Sequence, residues 1–223
     1  MTRTRLIVLS GEAGAGKDSV AKLLTDRYDW QLYSLAGPLK RFTADMFGFT
    51  EEQLYGPSSA RNAPDPRWAR PCPDQRNHNG FTLMPCETCG GTNQVNDNSP
   101  RRVLQLLGEE YLRQMIHVDA LTMRARPDLE KLLAQGCSVV VNDARNDNDR
   151  NNLHDWLGAC RVDVRSIRTQ KPKKKDEAWR RHASELRLAK DDQLEYVLQN
   201  DEKWPFPSLE GKVVRMLEDL YSK

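Results

Sequence analysis

Leu6-Ile7-Val8-Leu9-Ser10-Gly11-Glu12-Ala13-Gly14-Ala15-Gly16-Lys17-Asp18-Ser19 sets a short apolar run directly against a glycine-rich turn. Four apolar residues in succession fit a strand, and from Ser19 to Tyr28 the apolar residues Val20, Leu23 and Leu24 return at helical spacing. The stretch reads as strand, loop, helix. Glycines in such a loop let backbone N–H groups turn towards an anion, the following helix presents its positive end, and a lysine at position 17 reaches the outer phosphates of a nucleotide. Gly11, Gly14, Ala15, Gly16, Lys17, Asp18 and Ser19 are therefore the candidate phosphate-binding residues. Asp18 stands where loops of this kind carry the Ser or Thr that contacts Mg²⁺, and Ser19 comes one place later. Either side chain is placed to approach the metal.

Outward from this stretch, strand and helix patterns alternate. Gln31 to Ala36 reads as a second strand and Gly37 to Phe47 as a helix. From Pro100 the apolar residues Val103, Leu104, Leu107, Tyr111, Leu112 and Met115 recur at three- and four-residue steps, predicting a long helical region broken near Pro127 and ended by Gly136. Cys137 to Val141 is a strongly apolar run of the kind expected for a strand buried on both faces. A helix over Asn152 to Leu157, strands over Cys160 to Ile167 and Tyr196 to Gln199, and a closing helix through Leu209, Val213, Met216, Leu217 and Leu220 complete the pattern. Such alternation predicts an α/β fold with a mainly parallel sheet flanked by helices, whose ligands sit beyond the carboxyl ends of the strands.

The chain has 223 residues, with 34 Lys+Arg against 32 Asp+Glu, a net charge of +2 that excludes a generally polycationic nucleic-acid binder. No run approaches the roughly 18 apolar residues of a membrane span. A cytoplasmic protein is expected. Mean hydropathy is −0.75, lowered by the segment 57–98, where both periods vanish while Pro, Asn, Arg, Cys and Gly accumulate. This segment reads as an insertion with its own means of staying folded, because a structureless loop of about 40 residues is improbable inside a compact domain. The core is then 1–56 with 99–223.

Three of the five cysteines, Cys72, Cys86 and Cys89, fall in the insertion. Cys86-Glu-Thr-Cys89 followed by two glycines is a turn on which two thiolates meet one ion. With Cys72 and His78 it makes a candidate structural Zn²⁺ site, Asp74 being the alternative to His78 as fourth ligand. Cys137 and Cys160 lie in apolar strand runs and are expected to be buried packing residues.

Five blocks in order resemble the bacteriophage deoxynucleoside monophosphate kinases, P-loop enzymes of the nucleotide kinase type. They are the loop through Gly16-Lys17-Asp18-Ser19, Leu35 to Lys40, Arg101 to Gly108, Asp143-Ala-Arg145, and His182-Ala-Ser184-Glu185. The resemblance implies a P-loop kinase fold and transfer of the ATP γ-phosphoryl group to a deoxynucleoside monophosphate with Mg²⁺, for DNA precursor synthesis. It implies roles for Lys40, Arg102, Arg145, Asp149 and Glu185 at the substrate, Asp149 standing where the family more often has Glu. Phosphoryl transfer needs positive charge around two phosphate groups, a metal and exclusion of water. Arg101 and Arg102, at a helix start, offer guanidinium forks for the acceptor phosphate, or form a solvated first turn. Asp143, just past the apolar strand, is placed for the metal or the acceptor. The basic stretch from Arg168 to Arg181 is either a solvated face or a lid, about 168–185, closing Arg180 and Arg181 over ATP.

Two rival readings keep the loop and change the rest: a kinase acting on another small molecule or on a modified base in DNA, and a nucleic-acid-binding module with regulatory nucleotide turnover. The balanced charge of the insertion, Arg61, Arg67, Arg70 and Arg76 against Asp65, Asp74, Glu87 and Asp97, argues against the latter. The expected partners are nucleotides, with a homodimer left open. The insertion, lying in sequence between the acceptor-side segment and Arg102, is expected to border the acceptor and not ATP.

Overall fold

The computed structural model describes residues 4–12, 14–74, 86–89, 92, 94–144, 146–166, 194–200 and 207–221. They fall into two compact units, 1–37 with 109–223, and 38–108.

In the first unit the apolar run becomes strand β1 (Leu6–Ser10), every residue of it buried. It is central in a five-stranded sheet with β2 (Gln31–Tyr33), β5 (Val139–Val141), β6 (Cys160–Ser166) and β7 (Tyr196–Asn200), in the order β2-β5-β1-β6-β7. Every pairing in it is parallel, with Ile7 opposite Val140 on one side and Cys160 on the other. Side chains alternate between faces, so Ile7, Leu9 and Val140 pack with Val20 and Leu24 of helix α1 (Lys17–Tyr28) and with Val213 and Met216 of the closing helix α8 (Pro207–Tyr221). Leu6, Val8, Val139 and Val141 face Ala125 and Leu129 of helix α6 (Ala120–Ala134) and Leu153 of helix α7 (Asp147–Leu157). A strand covered by helices on both faces has no polar position to give up, which is why the sequence reads as an unbroken apolar run.

Some boundaries differ from the sequence pattern, β5 starting at Val139 and not at Cys137. Strand β2 stops at Tyr33 because the next backbone amides, those of Leu35 and Ala36, donate to the Asp143 carboxylate and not to a neighbouring strand. Pro127 breaks nothing: it lies inside α6, and the interruption falls earlier, after a π-helical segment (Leu106–Ile116) at whose end the His117 amide bonds back to the Leu112 carbonyl at 2.8 Å. Helix α7 begins five residues before its expected start, where the Asn146 side chain caps the Asp149 amide at 2.8 Å. Cys160 and Cys137 are half-buried, Cys160 packing against the core rather than within it.

The second unit holds most of helix α2 (Gly37–Phe47), then α3 (Glu51–Tyr55), α4 (Ser58–Asn62), a 3₁₀ turn (Pro66–Trp68), a two-residue antiparallel ladder of β3 (Arg70–Pro71) with β4 (Gln94–Val95), and α5 (Pro100–Gln105). It is wider than the insertion, because Phe49, Leu54 and Val103 form a small core to which flanking helices contribute. Asp65 ties its parts together. Its carboxylate accepts from Gln53 Nε2, the Arg67 amide and the Arg67 guanidinium, while its carbonyl accepts from Asn96 Nδ2. Helix α3 and the 3₁₀ turn thus meet at one buried carboxylate and the segment after β4 at the same residue's carbonyl, an arrangement that holds a segment with little apolar content.

Candidate phosphate-binding site and metal cluster

Where β1 ends, the chain must turn sharply before α1 starts. Gly11, Gly14 and Gly16 take φ of 129°, 83° and 102°, values that a side chain disfavours. Gly16, the residue that opens α1, is doubly constrained, since a Cβ there would collide with the Asn200 side chain. Asn200, at the end of β7, donates from Nδ2 to the Ala15 carbonyl at 2.9 Å and so pins the loop from the far side of the sheet. Lys17 Nζ lies back over the loop, 2.7 Å from the Gly11 carbonyl and 2.9 Å from that of Glu12. The Lys17 ammonium thus lies over a glycine loop at the start of α1, an arrangement able to take a phosphate group.

The strand ends beside this loop carry carboxylates. Asn142, just after β5, donates to Asp18 Oδ1 at 2.7 Å. The next residue, Asp143, accepts from Ser34 Oγ at 2.6 Å, from the Leu35 amide at 2.8 Å and from the Ala36 amide at 3.1 Å. Asn142 thus ties the end of β5 to the first turn of α1, and Asp143 ties it to the residues after β2. Asp18 and Asp143 offer carboxylates of the kind that suit Mg²⁺, a hard cation that takes one or two carboxylates together with phosphate oxygens and water. Ser19 follows on an exposed position of α1.

Asp149 is engaged elsewhere. It is almost wholly buried, and its oxygens accept from Arg113 Nη2 at 2.9 and 2.8 Å. Arg113 also donates from Nη1 to the Val118 carbonyl at 2.9 Å and approaches Glu109 at 3.5 Å. This pair bridges the π-helical segment and α7. Neither Arg113 nor Asn200 stands out in the sequence: an arginine among helical polar residues reads as surface, and the clamp by Asn200 spans 185 residues.

In the second unit, the Arg102 side chain is half exposed and 3.5 Å from Asp97 Oδ2, while its amide donates to the N-capping Ser99. Arg101 Nη1 donates to Asn62 Oδ1 at 3.2 Å. Lys40 Nζ lies 4.3 Å from the centre of the Tyr55 ring. His78, Arg145, Arg180, Arg181, Glu185 and the proposed lid lie outside the described residues.

The same unit brings Cys72, Cys86 and Cys89 together, their sulfurs all within 4.8 Å of one another and those of Cys72 and Cys86 3.9 Å apart. Burial pushes the Cys72 thiol above its ordinary range, the adjoining Cys89 and Cys86 sulfurs add to this, and a hydrogen bond from the Asp74 amide opposes it. A divalent cation reverses that balance by stabilising thiolates. Three soft donors converging at a turn form a metal-binding cluster.

No family profile matches the chain. A protein of Acanthamoeba polyphaga mimivirus, provisionally named a deoxynucleotide monophosphate kinase, is 28% identical over 153 residues, and the match spans 65% of each chain. Among solved structures, a sugar kinase from Janibacter sp. HTCC2649 superposes with a TM-score of 0.45 at 12% identity, over 97% of this chain and 94% of that one. Dephospho-CoA kinase from Campylobacter jejuni gives a TM-score of 0.47 at 10% identity, over 97% of each chain. These overlaps are too loose to assign chemistry. The parallel sheet order and the glycine loop between β1 and α1 make the chain an α/β protein of P-loop-kinase-like fold.

Proposed function

We propose that the chain transfers the γ-phosphoryl group of ATP to a deoxynucleoside monophosphate. The observation that carries this reading is the loop itself: three glycines in the left-handed region, with Lys17 Nζ held over them at the carboxyl end of a central parallel strand. The loop amides bind the β-phosphate and Lys17 follows the charge that develops between β- and γ-phosphates. Mg²⁺, when bound, would neutralise charge on the phosphates. Asp18 and Asp143 are the residues assigned to hold it, Asp18 aligned by Asn142 and Asp143 by the amides of Leu35 and Ala36.

Arg102 and Arg145 take the acceptor phosphate, Lys40, Arg101 and Glu185 being the other residues assigned to the substrate side, and Arg180 and Arg181 the transition-state charge. The acceptor phosphate is already anionic at neutral pH, so the chain needs no dedicated general base. The choice of a deoxynucleotide rests on the block resemblance and on the kinship to the mimivirus protein. The thiol cluster is assigned a structural Zn²⁺. An ADP-release screen across the deoxy- and ribonucleoside monophosphates tests the reading. ADP formation that depends on one or more deoxynucleoside monophosphates is expected; ADP formation indifferent to any acceptor, or none, contradicts it.

A further inference from the structure

The thiol cluster has three sulfurs, and a structural tetrahedral centre takes four ligands. With Zn–S of about 2.3 Å and Zn–O of about 2.0–2.2 Å, tetrahedral angles place neighbouring sulfurs about 3.8 Å apart and a sulfur about 3.5–3.7 Å from a carboxylate oxygen. Cys72 and Cys86 sulfurs are 3.9 Å apart, close to that spacing. Asp74 Oδ2 lies 4.0 Å from Cys86 Sγ but is not within 4.8 Å of all three sulfurs, so it reaches the fourth vertex by a swing of its side chain and not from where it stands.

Local geometry explains why the carboxylate is there. Asp74 follows Cys72 by two residues, with Pro73 fixing the turn between them. The backbone that carries the carboxylate is thus tied within two residues of a ligand atom. Asp74 is half-buried, shielded enough to bind a metal without the full cost of an enclosed carboxylate.

We propose that Asp74 Oδ2 is the fourth ligand, making a Cys₃Asp zinc centre from Cys72, Asp74, Cys86 and Cys89. This rests on the assignment of the thiol cluster to zinc. His78 is then dispensable for the metal. A hard oxygen on a soft site also makes this centre weaker than a four-thiolate one, and its metal the easier to remove.

The test uses the full-length protein stripped of metal and reloaded with Co²⁺, whose thiolate charge-transfer absorption counts sulfur ligands. Wild type should show a tetrahedral three-thiolate spectrum. Asp74→Ala should weaken Co²⁺ and Zn²⁺ binding, read by chelator competition, at least about 100-fold, beyond the usual cost of an outer-shell change. His78→Ala should leave both affinities unchanged. Asp74→Cys should raise the charge-transfer intensity by about one third, three thiolates becoming four, a change that a merely structural Asp74 would not give. Unchanged intensity in Asp74→Cys, together with loss of affinity in His78→Ala, overturns the proposal in favour of a histidine ligand. A wild-type protein with no charge-transfer band overturns the zinc assignment itself and is distinguishable from the first failure.

Discussion

Replacing Asp149 with alanine leaves the Arg113 guanidinium buried with much of its compensation gone. Arg113 and Asp149 side chains are 7% and 1% exposed, and Nη2 donates to both carboxylate oxygens. Breaking a buried pair by removing one partner costs about 3–5 kcal/mol. Glu109 Oε2, 3.5 Å from Arg113 Nε, and the Val118 carbonyl remain as partners, which puts the expected loss near the lower end, about 3 kcal/mol. For a chain of this size that corresponds to a fall in Tm of roughly 6–12 °C. Urea unfolding at constant m-value, with a thermal scan, measures it. Arg113→Met combined with Asp149→Leu removes both charges and should recover most of the loss, since an apolar pair of similar volume is often neutral. The same double variant probes the sequence expectation that Asp149 contacts nucleotide: with the pair structural, its KM for ATP and acceptor stays near wild type. A loss under about 1 kcal/mol in Asp149→Ala, or a double variant as unstable as the single one, would refute the ion-pair reasoning.

Gly16→Ala should cost about 1–2 kcal/mol from backbone strain alone. The added collision with Asn200 should also distort the loop and abolish the rise in Tm expected of the wild type with ATP; an unchanged Tm and ATP response would contradict the loop geometry. Asp143→Asn places an amide where a carboxylate now accepts three hydrogen bonds, and should destabilise the first unit by about 1.5–3 kcal/mol in denaturant unfolding. For Asp65, the Arg67 guanidinium holds the carboxyl well below the usual carboxylate range despite burial, with Gln53 adding to the effect. A folded-state pKa below the unfolded one contributes stability that is present above the unfolded value and is lost as pH falls below about 4. Asp65→Asn should flatten that acid limb of the unfolding profile while lowering stability at pH 7; an acid limb identical to wild type would count against it.

The first strand, the loop and α1 are legible in the sequence because each is specified within a few residues: an apolar run, glycines at required positive φ, and helical spacing. The thiol cluster is legible for the same reason at Cys86 and Cys89, whose shared turn is local. The end of β2 is not, because it depends on Asp143, more than a hundred residues away, taking the amides that a longer strand would have used. The π-helical segment leaves no mark in the apolar spacing, which continues through it. Asp149 is recognisable as an acidic residue near the site, but its burial depends on Arg113, 36 residues earlier, whose charge suggests solvent. The helix N-cap at Asn146 was open to reading, since Asn three residues before Asp149 is a capping signal.

The central claim is transfer of a phosphoryl group from ATP to a nucleotide at the Lys17 loop. Incubating wild type and Lys17→Ala with ATP labelled in the γ-phosphate, Mg²⁺ and each deoxynucleoside monophosphate in turn, then resolving the products, tests it most directly. Wild type should yield a labelled deoxynucleoside diphosphate, and folded Lys17→Ala should form it at least about 100-fold more slowly. A folded Lys17→Ala protein that transfers label at the wild-type rate, or a wild type that releases label only as inorganic phosphate, would contradict the account.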